Sequence, residues 1–103
     1  MLAVAEVPVE PFANLRPWVI LTVATIHMED GFRFRVFPND HAPAHVHAWK
    51  GGASVVIQLP TLDAPAKILR INGTIKNSDV VRAVEIVQDN AGLMWEGWHR
   101  FHD

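Results

Sequence analysis

Two periodicities divide this chain and limit what it can fold into. Within Phe32–Phe37, His45–Trp49 and Ala53–Leu59 apolar residues recur at every second position; from Val80 to Phe101 they recur at every third or fourth. The first spacing puts alternate side chains on opposite faces of a strand, and the second lines one side of a helix. A sheet with one apolar face needs a cover, and a helix with one apolar stripe supplies it. The expected fold is therefore α+β: a small, mostly antiparallel sheet of four to five strands packed against one long C-terminal helix.

The punctuation supports this order. Trp18 to His27 is rich in β-branched residues and apolar at both parities, which suits a strand that is central or covered on both faces. Glu29-Asp30-Gly31 offers a hairpin turn, with glycine free to take positive φ. Strands are predicted over Phe32 to Phe37, His45 to Trp49, Ala53 to Leu59 and, shorter, Lys67 to Ile71. Gly51-Gly52 makes the turn before Ala53, and Asn72-Gly73 ends the last strand. Ser78 is the predicted N-cap of the helix, with Asp79 in a first turn that favours negative charge. The stripe Val80, Ala83, Val84, Val87, Ala91, Met94, Trp95, Trp98 and Phe101 faces the sheet. Ile86 and Leu93 fall on the outer side, and Gly92 and Gly97 bend or weaken the helix. Residues 1–16 read as an N-terminal arm without the basic start and apolar run of a signal peptide, leaving 17–103 as one domain.

Composition narrows the function classes. With no cysteine, there is no disulfide framework, no thiol nucleophile and no thiolate-held metal. A net charge of −2 excludes a generic polycationic nucleic-acid binder. No apolar run is long enough to cross a membrane, and the chain reads as soluble and cytoplasmic. Alternation leaves Arg33, Arg35, His45, His47, Trp49, Ser54 and Gln58 together on the sheet face away from the helix.

Three of the six histidines fall within Pro38-Asn39-Asp40-His41-Ala42-Pro43-Ala44-His45-Val46-His47. An H-x-H on a strand aims two imidazoles from one face, and His41 could add a third nitrogen from the loop. Three such ligands plus water would hold zinc or another divalent metal in an open site, with Asp40 fixing a ring tautomer. The same residues could work without metal. Histidine titrates near neutrality, arginine grips phosphate, and Trp49 could stack a base, which together suit cleavage of RNA. Arg70 and the run around it, Lys67, Lys76 and Arg82 against Asp79, add local positive charge. The plain alternative is a solvated face whose histidines only bind the loop holding Asn39 and Asp40.

The run Gly31-Phe32-Arg33-Phe34-Arg35-Val36-Phe37-Pro38-Asn39-Asp40-His41-Ala42-Pro43-Ala44-His45-Val46-His47, then Gly51, resembles the bacterial family called domain of unknown function 4160. Leu93 to Phe101 is similar to that family's closing helix, and the likeness spans about Ile20 to Phe101. The long N-terminal arm and Gly92 and Gly97 depart from it. The resemblance implies a small bacterial protein encoded beside a member of a second family, domain of unknown function 2442, in a toxin–antitoxin pair. This chain would be the toxin half, with a small antitoxin-like protein as partner, RNA as target and a homo-oligomer open to it. The family motif maps onto Asn39, Asp40, His41, His45 and His47. The catalytic set under this reading is His41, His45, His47, Arg33 and Arg35, with Asn39, Asp40, Trp49 and Arg70 as binding residues. The rival readings are a non-catalytic protein- or nucleic-acid-binding module and a histidine metal-binding domain.

Overall fold

The computed structural model describes residues 25–102. The N-terminal arm and the first part of the strand expected from Trp18 lie outside them. The described strands are β1 (Thr25–Glu29), β2 (Phe32–Arg35), β3 (His45–Lys50), β4 (Ala53–Gln58) and β5 (Lys67–Asn72). They form one antiparallel sheet in the order β1-β2-β3-β4-β5, each strand pairing with its neighbours in sequence. Two helices follow, α1 (Asn77–Asp89) and α2 (Ala91–His102).

Local chemistry sets the turns. Asp30 and Gly31 both take positive φ, 52° and 82°, the pattern of a type I′ turn, whose twist matches the strands it joins. The β1–β2 hairpin is tied to α1 by Arg82, whose guanidinium reaches Glu29 and Asp30 as well as Glu85 on its own helix.

The core lies between one sheet face and the helices. Phe32, Phe34, Val36, Val46, Ala48, Val55, Ile57 and Leu59 pack with Val80, Ala83, Ile86 and Val87 of α1 and with Met94 and Trp98 of α2. Burial of a side chain of this size is worth about 1.5–3 kcal/mol, so this face accounts for most of the fold's stability.

Five expectations change. The long helix is two helices that break at Asn90, whose backbone (φ −118°, ψ 33°) leaves the helical range. The Ile86 carbonyl accepts both the Asn90 backbone N–H at 3.0 Å and the Asn90 side-chain amide at 2.8 Å, which closes the last turn of α1. The break directs α2 toward β1, where Gly97 meets Ile26 so closely that an added Cβ would lie 2.6 Å from the isoleucine Cδ1. Gly97 is thus a contact point of the packing, not a weak spot in a helix. Ser78 is not the cap: α1 begins at Asn77, and Lys76 stands at the N-cap without a side-chain bond. Ile86 is buried, because the stripe of α1 centres on Val80, Ala83, Ile86 and Val87, with Val84 at its margin. Finally, the second sheet face is not openly solvated. Ser54 and Val56 are both buried on it, and Ser54 accepts a bond from the Asn72 amide at 3.1 Å.

Candidate metal centre

The second face is organised by register. Arg35 pairs with His47, His47 with Val56 and Val56 with Arg70, so these four form one row across β2 to β5. The next row is Arg33, Trp49, Ser54 and Asn72, and the row on the other side starts with His45 and Gln58. Directly paired residues in an antiparallel sheet point to the same side. His45 and His47 therefore project together from the start of β3.

The loop before β3 brings a carboxylate to them. The Asp40 amide donates to the Phe37 carbonyl at 3.0 Å, and the Phe37 amide donates to Asp40 Oδ2 at 2.9 Å. This reciprocal turn, which Pro38 and Asn39 favour, holds the carboxylate in place and leaves Oδ1 directed at the histidines. Oδ1 lies 3.2 Å from His47 Nε2 and 3.6 Å from His45 Nε2. Taking one ligand atom from each of Asp40, His45 and His47, all three lie within 4.8 Å of one another, and all three residues are half-buried. Two ligands of a tetrahedral zinc ion, each at about 2.0–2.1 Å, sit roughly 3.3 Å apart, and the two Asp40–histidine distances lie close to that value.

The tautomer of His45 argues the same way. Its Nδ1 lies 2.7 Å from the Pro43 carbonyl oxygen. A carbonyl only accepts, so Nδ1 carries the proton, and in the neutral ring Nε2 is a bare lone pair. That atom lies 3.6 Å from the Asp40 oxygen, a contact that either a proton on the ring or a cation between the two makes favourable. A histidine whose far N–H is fixed by a backbone carbonyl is the usual arrangement behind a metal. The rest of the surround is aromatic. Phe37 meets the His47 ring edge-on, with centroids 5.2 Å apart, and Trp98 of α2 lies 5.5 Å from the His45 ring.

Electrostatics favour the ligand form of His47. Burial lowers its pKa from the ordinary histidine value, the Asp40 carboxylate opposes that, and His45 and Arg70 add to the lowering. The net result favours neutral imidazole, whose Nε2–H donates to Asp40 at 3.2 Å and would give up that proton position to a bound metal.

The expected site residues fall into three groups. Asp40, His45 and His47 come together. Arg35, Arg70 and Trp49 stand in the rows beside them, with Arg33 exposed next to Trp49. His41 and Asn39 are exposed on the loop, and His41 is not among the converging ligands. The structure thus puts Asp40 where the sequence reading put His41. The groups that reasoning from sequence missed are the Pro43 carbonyl and Trp98; a backbone acceptor leaves no mark in a sequence, and Trp98 reads simply as part of the helical stripe. Of the remaining histidines, His27 bonds Glu29 at 2.8 Å, His99 stacks on Trp95, and His102 stacks on Trp98 with Nδ1 2.9 Å from the Trp98 carbonyl.

Comparison with known families gives one result. The model of the family described as Domain of unknown function (DUF4160) matches residues 31–99, and the chain belongs to that family. No curated protein and no solved structure matches it. Among the described residues, no helix is long and apolar enough to cross a membrane.

Proposed function

We propose that this protein is a divalent-metal hydrolase of the bacterial cytoplasm that acts on RNA as the toxin half of a toxin–antitoxin pair. Asp40, His45 and His47 hold the metal, zinc or another divalent ion that accepts two imidazoles and a carboxylate. Three protein ligands leave a position open, and a metal bound there supplies an activated water at neutral pH. The observation that carries this reading is the Nδ1–H of His45 fixed on Pro43, with Nε2 turned toward Asp40. A phosphodiester substrate is supported by Arg35, beside His47, and Arg70, beyond Val56 in the same row.

The test is cleavage of single-stranded RNA by the zinc-loaded protein and by the chelator-stripped protein. Activity should follow the metal and fall at least 100-fold in Asp40→Asn, the order of effect expected from losing an essential group. Equal cleavage with and without metal would remove the metal from the reaction.

A protein partner finds support elsewhere in the fold. Among the described residues β5 is an edge strand, every residue in it is exposed, and Ile68, Leu69 and Ile71 are 42%, 40% and 46% accessible. Such an edge offers unpaired backbone groups to a strand from another chain. Under this reading the antitoxin-like partner, of the kind expected from domain of unknown function 2442, adds a strand beside β5. A partner complex that survives loss of Asp40, His45 and His47 would support it.

A further inference from the structure

A second polar constellation lies beside the metal ligands and has no part in holding the metal. Arg33, Arg35 and Trp49 line a concavity closed by Gly31, Lys50 and Gly51. Arg33 and Trp49 are direct cross-strand partners, as are Arg35 and His47. The Arg35 guanidinium carbon lies 5.8 Å from the centre of the Trp49 ring. Trp49 is two residues along β3 from His47, a step of about 7 Å.

Two donors among the residues that line this concavity are unmatched. Arg35 Nε and Trp49 Nε1 are both buried and have no hydrogen-bond partner. Each is a donor only, so each requires an acceptor. A buried donor without one costs about 1–3 kcal/mol, and more for a charged group. Among the described residues only one other buried side-chain donor or acceptor, His102 Nε2, shares this condition, so two of the three sit together here. No acidic side chain lines the concavity. The nearby carboxylate of Asp79 is taken up by Lys50 at 3.0 Å. A site with two guanidinium groups, an indole N–H and no anion of its own is complementary to an anion with several acceptor oxygens. At the rim, a Cβ on Gly51 would meet nothing within 4 Å, so the approach there is open.

We infer that Arg33, Arg35 and Trp49 form a phosphate-binding subsite that takes a backbone phosphate of single-stranded RNA next to the one held at the metal. The inference rests on the proposed RNA substrate for its source of phosphate; the anion contact itself stands on the three side chains. Arg33 and Arg35 give charge-assisted bonds to the phosphate oxygens, and Trp49 adds its N–H and a ring face for the attached base. The subsite fixes the register of the strand over Asp40, His45 and His47 without contributing to the chemistry, so its residues are positioning residues.

The test uses nitrogen-15-labelled, chelator-stripped protein and follows the Arg35 Nε–H and Trp49 Nε1–H signals, assigned with Arg35→Gln and Trp49→Phe. Inorganic phosphate and a short oligouridylate are titrated separately at constant ionic strength, with chloride as control. Both signals should shift together and saturate with either phosphate probe, with the oligouridylate binding more tightly. Arg33→Gln with Arg35→Gln should weaken oligouridylate binding about 100-fold, since each lost charged bond is worth roughly 1.5–3 kcal/mol and tenfold is about 1.4 kcal/mol. The logarithmic salt dependence should lose about one unit of slope for the phosphate no longer held. Signals that stay fixed, or that move equally with chloride, overturn the subsite. Oligouridylate binding no tighter than inorganic phosphate overturns RNA as its source. Zinc content of the double variant keeps the two proposals separate: retained zinc with lost phosphate binding supports the subsite, while phosphate binding by a protein that takes up no zinc removes the metal reading alone.

Discussion

The two faces of the sheet are built from the same strands by the same alternation, yet they differ in what they leave unfinished. On the inner face Phe34, Val46, Ala48, Val55 and Ile57 are completely buried within one apolar cluster. On the outer face the paired positions carry Arg35, His47, Trp49 and Arg70, with two buried donors unmatched and two imidazoles gathered on one carboxylate. Hydrophobic burial explains the first face without reference to any ligand. The second resists that explanation, because a half-buried cluster of imidazole, carboxylate and guanidinium groups does little for stability. The difference teaches that stability and function lie back to back across one layer of backbone.

The largest test of this division is Phe34→Ala. Removing a fully buried ring from the inner face should cost about 3–5 kcal/mol and unfold much of the protein, as denaturant titration would report. A mild effect would mean that the inner face is not where stability resides. Next, zinc at about a hundred to a thousand times its dissociation constant should stabilise the wild type by about 2.7–4.1 kcal/mol. That gain should vanish in His45→Ala, whose metal-free stability stays close to wild type. Thermal unfolding with and without zinc reads both quantities, and a zinc gain that survives the substitution would break the assignment.

Gly97→Val probes the seam where α2 crosses β1. The new side chain would collide with Ile26 and should cost about 1–3 kcal/mol while leaving zinc uptake intact. The smallest effect is the acid response of the metal-free protein. Folded His47 holds its proton less tightly than the unfolded chain does, since burial lowers its pKa. Stability is therefore full above the ordinary histidine value of about 6.5 and falls as the pH drops through the interval below it. His47→Asn should flatten that slope in denaturant titrations across the interval. An unchanged slope would place the titrating group elsewhere.

Much of this was legible in the sequence, for reasons that differ by region. Alternation from Phe32 to Leu59 located β2, β3 and β4 and their inner face, because one buried face fixes strand register. The Asp30-Gly31 turn was legible because few residues accept positive φ. The helix break at Asn90 was not, since it depends on how closely α2 can approach Ile26. Ile86 was misplaced because the α1 stripe runs slightly to one side of the line drawn through both helices. In the site, H-x-H on one strand specified that His45 and His47 share a face. Whether His41 or Asp40 joins them depends on loop geometry, here the Phe37–Asp40 turn, which pattern alone does not determine. The contact of Arg35 with the Trp49 ring, and their want of hydrogen-bond acceptors among the described residues, emerge only when the strands are in register.

The central claim is that the Asp40, His45 and His47 cluster is a metal centre. It is tested most directly by elemental analysis of protein purified without a histidine tag, incubated with zinc and then desalted. The account predicts one zinc per chain in the wild type and none in Asp40→Asn combined with His45→Ala, while His41→Ala retains its zinc. Wild-type protein that emerges without zinc, or a double variant that keeps it, would contradict the account.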